Sequence, residues 1–384
     1  MTVLDTRALN RAMLARQLLL DRVDMPVLDA VAHLCGLQAQ EPQEPFVGLW
    51  SRVRAFDPAE LSDLLVGRKV VRTTLMRCTI HLVTARDVLA WRPRHDAMLR
   101  QRVLGVYRRE LDGVDLDELA AAGRAVMADG EPRSMARLGR EVAGRWPQAS
   151  ARALGEMLVA ALIPMVQLPP RGLWRTKAGV RNAMLSAWLG QEAAPSDPSA
   201  PDGSTSDGDA PDGRAPGGRD PVGRELVLRY LAAYGPAATA DLRAWCGLAG
   251  LPAAVAELRG ELAVFRDERG RELLDLPDAP RPDPDIPVPV RFLPAFDNAI
   301  LGYHDRRRII DDAHRGLSVA GARVVLVDGR VTATWTVGPD GTVTVAPLRR
   351  LSRAERAEVG EEGRALAAFL SDGESHRVTI DASP

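Results

Sequence analysis

The chain has 384 residues, of which 46% are apolar and 26% are charged. This length and composition predict a globular protein of two to four structural units and exclude a single small scaffold. No apolar run reaches the roughly 18 residues of a membrane span, and the N-terminus lacks a secretory pattern, so we expect a cytoplasmic protein with no membrane partner. The three cysteines lie far apart without metal-ligand spacing, and we therefore expect no disulfide framework, metal or other cofactor.

Charge is distributed unevenly along this chain of net charge −1. The first 110 residues hold 17 basic against 12 acidic side chains, and this surplus favours an anionic partner. Residues 190–220 hold seven acidic side chains against two arginines and consist mainly of Pro, Asp, Gly, Ser and Ala. Such a segment buries too little apolar surface to offset the entropy of ordering it, so we predict a disordered acidic linker.

The first predicted unit, residues 1–110, combines four helices with a hairpin. Apolar periodicity and capping residues predict helices that begin at Asp5 or Thr6, cover Val27–Cys35, carry the apolar face Phe46–Val53, and follow the cap Asp57. The β-branched runs Val70–Leu75 and Cys78–Val83 then predict two paired strands. Helices followed by a small hairpin are typical of a winged-helix unit.

The same order recurs twice without sequence identity between the copies. The second unit, residues 111–189, has predicted helices and extended segments over Leu116–Met127, Ser134–Trp146, Ala151–Leu162, Met165–Leu168 and Leu173–Arg175. In the third unit, residues 221–280, the predicted helices and extended segments cover Glu225–Tyr234, Thr239–Cys246, Pro252–Glu261, Leu262–Asp267 and Glu272–Leu276.

The last unit, residues 281–384, has the pattern of a β meander. Asp-Gly turns separate three alternating runs, Arg323–Val327, Arg330–Thr336 and Thr342–Val345. A helix from Ser352 to Leu370 is predicted to pack against them. The fold class is therefore α+β, with a small C-terminal sheet or barrel after the third helical unit.

The most unusual polar motif is Gly36–Gln40, directly after the second predicted helix. In an extended segment, side chains two residues apart share a face, so Gln38 and Gln40 would present two carboxamides to one site. Each amide offers one acceptor and two donors, which suits the orientation of a water or an oxygen-rich ligand. The spacing alone also fits two glutamines that satisfy backbone groups or face solvent.

Six ordered motifs span nearly the whole chain outside the linker: Leu9–Arg11, Arg16–Leu19, Gly36–Gln40, Leu49–Arg52, Arg77–Val83 and Phe292–Asn298. Together they resemble the AlkZ/YcaQ family of DNA glycosylases. The resemblance implies three tandem winged-helix units and a C-terminal β-barrel in a C-shaped scaffold around duplex DNA. It also implies a catalytic role for Gln38 and Gln40. The glutamine at the second of these positions, Gln40, makes the motif similar to that of the AlkZ branch, since the YcaQ branch has aspartate there.

The activity implied by the resemblance is that of a monofunctional DNA glycosylase. We expect a monomer, associated with the nucleoid, that excises bulky alkylated purines and unhooks interstrand crosslinks, and that protects the producer of a genotoxic natural product. A guanine alkylated on its major-groove nitrogen is already cationic, so two amides need only orient a water and stabilise an oxocarbenium-like transition state. A crosslinked base remains tied to the opposite strand, so we expect an open cleft without a deep base pocket.

Further residues are expected on DNA. Arg77, Thr79 and His81 alternate along the second predicted strand and would share one face, with Arg77 on a phosphate and His81 near the lesion. A histidine tucked under the hairpin fits the sequence equally well. The family pattern favours DNA-backbone contacts by His304 and Arg306, whereas an arginine run by itself is typical of a solvated face.

Three alternatives are open. A winged-helix regulator would bind DNA without catalysis, and a related glycosylase would remove small alkyl adducts. A bifunctional glycosylase and lyase needs an amine nucleophile, which only Lys69 or Lys177 could supply, and neither belongs to the matched motifs. Cys78 stands where the family usually has glycine, which raises a question about the local backbone.

Overall fold

The computed structural model describes residues 2–193, 220–249 and 251–382. Residues 194–219, which make up most of the predicted linker, lie outside the described residues. None of the helices in the described ranges is long and apolar enough to cross a membrane.

The N-terminal region contains the four predicted helices and the predicted hairpin. The Asp5 side chain caps the first helix, since it accepts a 2.7 Å hydrogen bond from the Ala8 N–H, and Asp57 caps the fourth in the same way. The elements are β1 Val3–Leu4, α1 Thr6–Arg16, α2 Val27–His33, β2 Leu37–Gln38, α3 Glu44–Trp50, α4 Pro58–Val66, β3 Val70–Thr74, β4 Ile80–Thr84 and the long helix α5 Ala85–Tyr107.

The next region follows the predicted helices but not the predicted second extended segment. Its elements are α6 Leu116–Met127, α7 Met135–Val142, α8 Ala151–Glu156, a π-helical stretch Met157–Leu162, β5 Met165–Gln167, β6 Asn182–Met184 and α9 Leu185–Leu189. The expected extended segment over Leu173–Arg175 is wrong, because these residues form turns. The apolar Trp174 serves packing, since its ring centroid lies 5.0 Å from that of Phe46 and 4.9 Å from that of Phe369. The partner of β5 is instead β6.

One five-stranded sheet joins these first two regions. Its strand order is β2-β4-β3-β5-β6, so β3 pairs with its hairpin partner on one side and with β5 of the second region on the other. The predicted boundary at residue 110 therefore lies between strands of one sheet. β2 lies at one edge of this sheet.

The region that begins at residue 220 has its elements in the predicted order. They are α10 Pro221–Tyr234, α11 Thr239–Cys246, α12 Leu251–Leu258, β7 Ala263–Asp267 and β8 Glu272–Asp275. β1, from the chain start, adds to this hairpin in parallel, with Val3 opposite Arg266. That pairing fixes the first region against the third.

The C-terminal region is a sheet covered by a helix. Its elements are β9 Arg291–Leu293, α13 Asn298–Leu301, α14 Gly316–Val319, β10 Val324–Val327, β11 Arg330–Val337, β12 Val343–Pro347, α15 Arg353–Leu370 and β13 Val378–Ile380. The strand order is β13-β12-β11-β10-β9, and no hydrogen-bonded pairing in the described residues joins the two edge strands. Where a barrel is expected, the structure has an open sheet with α15 packed on it.

Candidate active site

The glutamine segment is the edge strand of the first sheet. β2 pairs antiparallel with β4, with Gln38 opposite His81. Gly36 leads the chain from α2 into β2 with a φ of +84°, and a Cβ there would lie 2.5 Å from Val83 Cγ1. A side chain is therefore excluded at this position, which sets the angle at which the strand enters the site.

Both glutamines are held through their carbonyl oxygens. Gln38 is 7% exposed, and its Oε1 accepts a 2.7 Å hydrogen bond from Arg77 Nη2. Gln40 is exposed, and its Oε1 accepts a 3.3 Å hydrogen bond from the Ile80 N–H. Neither Nε2 group donates a hydrogen bond to a described residue, and neither is among the buried atoms that lack a partner there. Each amide thus keeps its two N–H donors and one carbonyl lone pair available to a ligand.

Arg77 lies in a turn and not in the strand that the sequence predicts. Arg77 and Cys78 have φ values of 55° and 60°, so the connection forms a 3-10 turn and β4 begins only at Ile80. Thr79 also precedes the strand. The predicted alternation of Arg77, Thr79 and His81 along one strand is therefore wrong, because two left-handed residues break the period of two.

The Arg77 guanidinium joins three elements. It donates to Gln38 Oε1 and to the carbonyl oxygen of Trp245 at the end of α11, and its Nη2 lies 3.3 Å from His81 Nε2. Burial lowers the pKa of Arg77 to about 10, so the group stays charged at neutral pH, and no carboxylate of the described residues pairs with it. Arg77 is a cation placed directly behind Gln38.

His81 lies beneath Arg77 and is only 2% exposed. Its Nδ1 is 3.0 Å from the Thr79 carbonyl oxygen and donates to it, which leaves the Nε2 lone pair to accept from Arg77. Burial and the neighbouring Arg77 lower the pKa of His81 to about 3, so the imidazole is neutral. Of the two positions left open by the sequence, the structure has the histidine under the hairpin turn.

His304 and Arg306 lie on the loop after α13. His304 is exposed, and its backbone N–H donates to Asp241 Oδ1 at 2.9 Å. Arg306 is half-buried and donates to Ser318 Oγ and, at 3.3 Å, to the Tyr303 carbonyl oxygen. Burial, with a smaller effect of Arg315, lowers the pKa of Arg306.

A cleft of about 940 Å³ opens between α5 and α11, with Arg77 and His304 in its wall. Its described lining contains no Asp or Glu and consists of Arg77, Arg94, Ala97, Met98, Gln101, Arg102, Ala240, Arg243, Ala244, Gly247, Leu248, Ala249 and His304. Arg102 and Arg243 are exposed. Sequence reasoning missed both arginines. A signal existed for Arg102, because Arg94, Met98 and Arg102 follow one another at spacings of four residues and so share one face of a helix.

Other motif residues fix the position of the glutamine segment. Asn298 Nδ2 donates to the carbonyl oxygens of Leu34 and Gly36, at 3.1 and 2.7 Å. Its neighbour Asp297 forms a two-pronged ion pair with Arg52, at 2.7 and 2.9 Å, and both side chains are fully buried. The C-terminal region thus holds the turn that precedes Gln38, a role that the sequence did not indicate.

Comparison with known proteins identifies the family. A family model described as "DNA glycosylase AlkZ-like" matches residues 31–369, which is most of the chain. The chain belongs to the AlkZ-like DNA glycosylase family. No curated protein sequence matches it. Its fold is similar to that of the Streptomyces sahachiroi DNA glycosylase AlkZ, with a TM-score of 0.76 and 19% identity over 99% of this chain and 100% of that one.

Membership of the AlkZ-like family makes the chain a DNA N-glycosylase with a DNA substrate and a role in DNA repair. The alternative that the protein is a regulator that binds DNA without catalysis is therefore excluded. No group of three or more His, Cys, Asp or Glu side chains in the described ranges is placed to hold a metal ion.

Proposed function

We propose that this AlkZ-like enzyme is a monofunctional glycosylase that hydrolyses the N-glycosidic bond of bulky alkylated purines and unhooks interstrand crosslinks. One observation carries the proposal: the side-chain amides of Gln38 and Gln40 are each fixed by one donor to the carbonyl oxygen, and the donor to Gln38, Arg77, also lines the basic cleft. Two fixed amide dipoles, linked through Arg77 to an open cleft, suit a reaction whose leaving group is already activated.

The chemistry needs no strong acid at this site. The bond between C1′ and the purine nitrogen breaks with both electrons passing to the cationic base, which leaves as a neutral molecule. A water oxygen then bonds to C1′ and releases its proton to solvent. Gln38 and Gln40 cannot take that proton at neutral pH, so their role is to orient the water and to stabilise the positive sugar ring through their carbonyl lone pairs.

The proposed DNA path runs along the basic cleft. His304 and Arg306 would contact the backbone, as the sequence predicts, together with the exposed Arg102 and Arg243. Arg77 would act mainly through Gln38, because its donors are engaged within the protein. His81 and Thr79 would hold Arg77 and its turn, because His81 has too little exposed surface for a direct contact with the lesion.

The positions of the lysines support a monofunctional reaction. A lyase would need an amine beside the abasic sugar. Lys69 lies in the wall of a different cavity of about 560 Å³, with Asp29 and Glu225. Neither Lys69 nor Lys177 lines the basic cleft.

The exposure of Gln40 supports a bulky substrate. A base that stays tied to the opposite strand cannot be enclosed, so its catalytic groups must be reachable from a duplex surface. Gln40 is exposed and the cleft beside Arg77 is open to solvent. An enzyme with this access would protect a cell that makes a DNA-alkylating natural product.

The test uses three duplexes of one sequence, carrying a bulky guanine adduct, a methylated guanine and an interstrand crosslink. We expect release of the bulky base and separation of the crosslinked strands, with an abasic site that breaks only after alkali. Release of the methylated base alone would contradict the bulky-substrate assignment, and strand cleavage without alkali would contradict the monofunctional one.

A further inference from the structure

Arg72 reaches the glutamine segment from the middle of the first sheet. It lies on β3 and is 1% exposed, and its Nη2 donates to the Ala39 carbonyl oxygen at 2.8 Å. β4 lies between β3 and β2, so the side chain crosses a whole strand to reach the residue that separates the two glutamines.

The Arg72 guanidinium is buried without the partners that such a group normally has. Its Nε and Nη1 atoms make no hydrogen bond in the described residues. No described carboxylate forms an ion pair with it, and burial together with nearby Arg171 lowers the pKa of Arg72 to about 10, against a smaller opposing effect of Glu41. A buried, unpaired cation costs folding free energy, so packing alone does not explain an arginine here.

The geometry around Ala39 indicates what Arg72 does. The peptide between Gln38 and Ala39 is fixed by β4, since the Ala39 N–H donates to the Ile80 carbonyl oxygen at 2.7 Å. The peptide between Ala39 and Gln40 is fixed by Arg72. Because peptide units are planar, holding both planes sets the direction of one glutamine side chain relative to the other.

The chain covers Arg72 closely on its far side. Gly172 lies over the aliphatic part of the side chain, and a Cβ at Gly172 would be 2.7 Å from Arg72 Cδ. Methionine is unbranched, of similar length and uncharged, so it can fill this space without the guanidinium.

We propose that Arg72 is a positioning residue of the glycosylase, which fixes the Ala39–Gln40 peptide and thereby the mutual orientation of Gln38 and Gln40 at the expense of folding stability. This inference rests on the proposed catalytic role of the two glutamines.

The test compares Arg72→Met with the full-length wild type by single-turnover excision and by thermal unfolding. We expect excision to slow at least tenfold, unchanged binding of the substrate duplex, and a Tm equal to or above that of the wild type. Arg92→Met is the control for the excision rate, because Arg92 is also 1% exposed with a pKa lowered by burial to about 10, but it pairs with Asp96 and donates to Ala160 and Ala161, away from the glutamines. We expect that control to keep the wild-type excision rate.

Two further variants separate positioning from a general structural role. Arg72→Lys keeps the charge and one donor, and it should restore part of the rate. In the Gln38→Ala/Gln40→Ala background, Arg72→Met should cause no further loss, because it acts through those amides. Wild-type excision by Arg72→Met, a slower rate matched by a lower Tm, or an additive loss in the combined variant would overturn the proposal.

The outcome also distinguishes this inference from the proposed function. If Gln38→Ala/Gln40→Ala excises at the wild-type rate, the glutamine assignment itself fails. If that variant is slow and Arg72→Met is fast, only the role of Arg72 fails.

Discussion

Buried arginines occur in two contrasting settings in this protein. At the junctions between regions, Arg16 meets Asp275 at 2.5 and 2.8 Å, and Arg52 meets Asp297, with all four side chains almost completely buried. Around the glutamine segment, Arg72 and Arg77 have no carboxylate partner in the described residues, and burial lowers the pKa of both to about 10.

The presence or absence of a carboxylate partner separates arginines that stabilise the fold from arginines that serve the candidate site. At the junctions, each positive charge is neutralised and its hydrogen bonds are satisfied, so the regions are held in fixed positions. At the site, the guanidinium groups are used to hold a backbone carbonyl and an amide oxygen, and their charge remains unneutralised beside the proposed path of an anionic polymer. A set of variants can test whether the two groups of arginines differ in this way.

Arg52→Met should have the largest effect on stability. It leaves Asp297 buried and unpaired, which costs about 3–5 kcal/mol of unfolding free energy. Urea denaturation measures it, with Arg54→Ala as the control, since the ion pair of Arg54 with Asp24 is exposed and contributes about 0–1 kcal/mol. Unchanged unfolding of Arg52→Met would remove the contrast with Arg72.

Mild acid should destabilise the region around the unpaired arginines. Burial lowers the pKa of His81 to about 3 and that of His95 to about 4. Below about pH 6.5 the unfolded chain binds protons that the folded chain does not, so stability falls as the pH falls, by about 2 kcal/mol per histidine at pH 5. Denaturation at pH 7 and pH 5 checks this, and His81→Asn should lose less between the two than the wild type does.

The cleft arginines should determine the salt dependence of DNA binding. Removing Arg102 and Arg243 together should reduce the slope of log K against log salt by about 1.8, or about 0.9 for each lost phosphate contact. Arg353→Ala/Arg364→Ala removes the same charge from exposed positions on α15 and should leave the slope unchanged. Equal slopes for both double variants would place the DNA elsewhere.

The smallest effect is expected at Cys78, next to Arg77. Its φ of 60° is left-handed, which glycine tolerates without strain. Cys78→Gly should therefore change stability by less than about 1 kcal/mol, since relief of strain offsets lost packing, and excision should persist. Cys78→Ala, which keeps the strain, is the control: loss of excision in both variants would show that the turn depends on the thiol, and loss in the glycine variant alone would show that it depends on the backbone restriction of a side chain.

The sequence predicts local elements well where caps and apolar periodicity coincide. Helices α6 and α11 have the predicted bounds, Leu116–Met127 and Thr239–Cys246. The pairing of β1 with β7 and the sheet shared by the first two regions were not predictable, because contacts between distant segments leave no local signal.

The candidate site was likewise predictable only in part. The glutamines could be singled out from an unusual motif and a family resemblance. Their supports could not, because Arg72 acts across an intervening strand and Asn298 reaches Leu34 and Gly36 from the C-terminal region. The left-handed turn at Arg77 was missed because the β-branched residues around it predict a continuous strand.

The most direct test of the central claim is single-turnover excision of a bulky guanine adduct by Gln38→Ala/Gln40→Ala at saturating protein. We predict a rate more than tenfold below that of the wild type, which is about 1.4 kcal/mol of barrier, with the same affinity for duplex DNA. Excision at the wild-type rate with intact DNA binding would contradict the assignment of catalysis to these two amides.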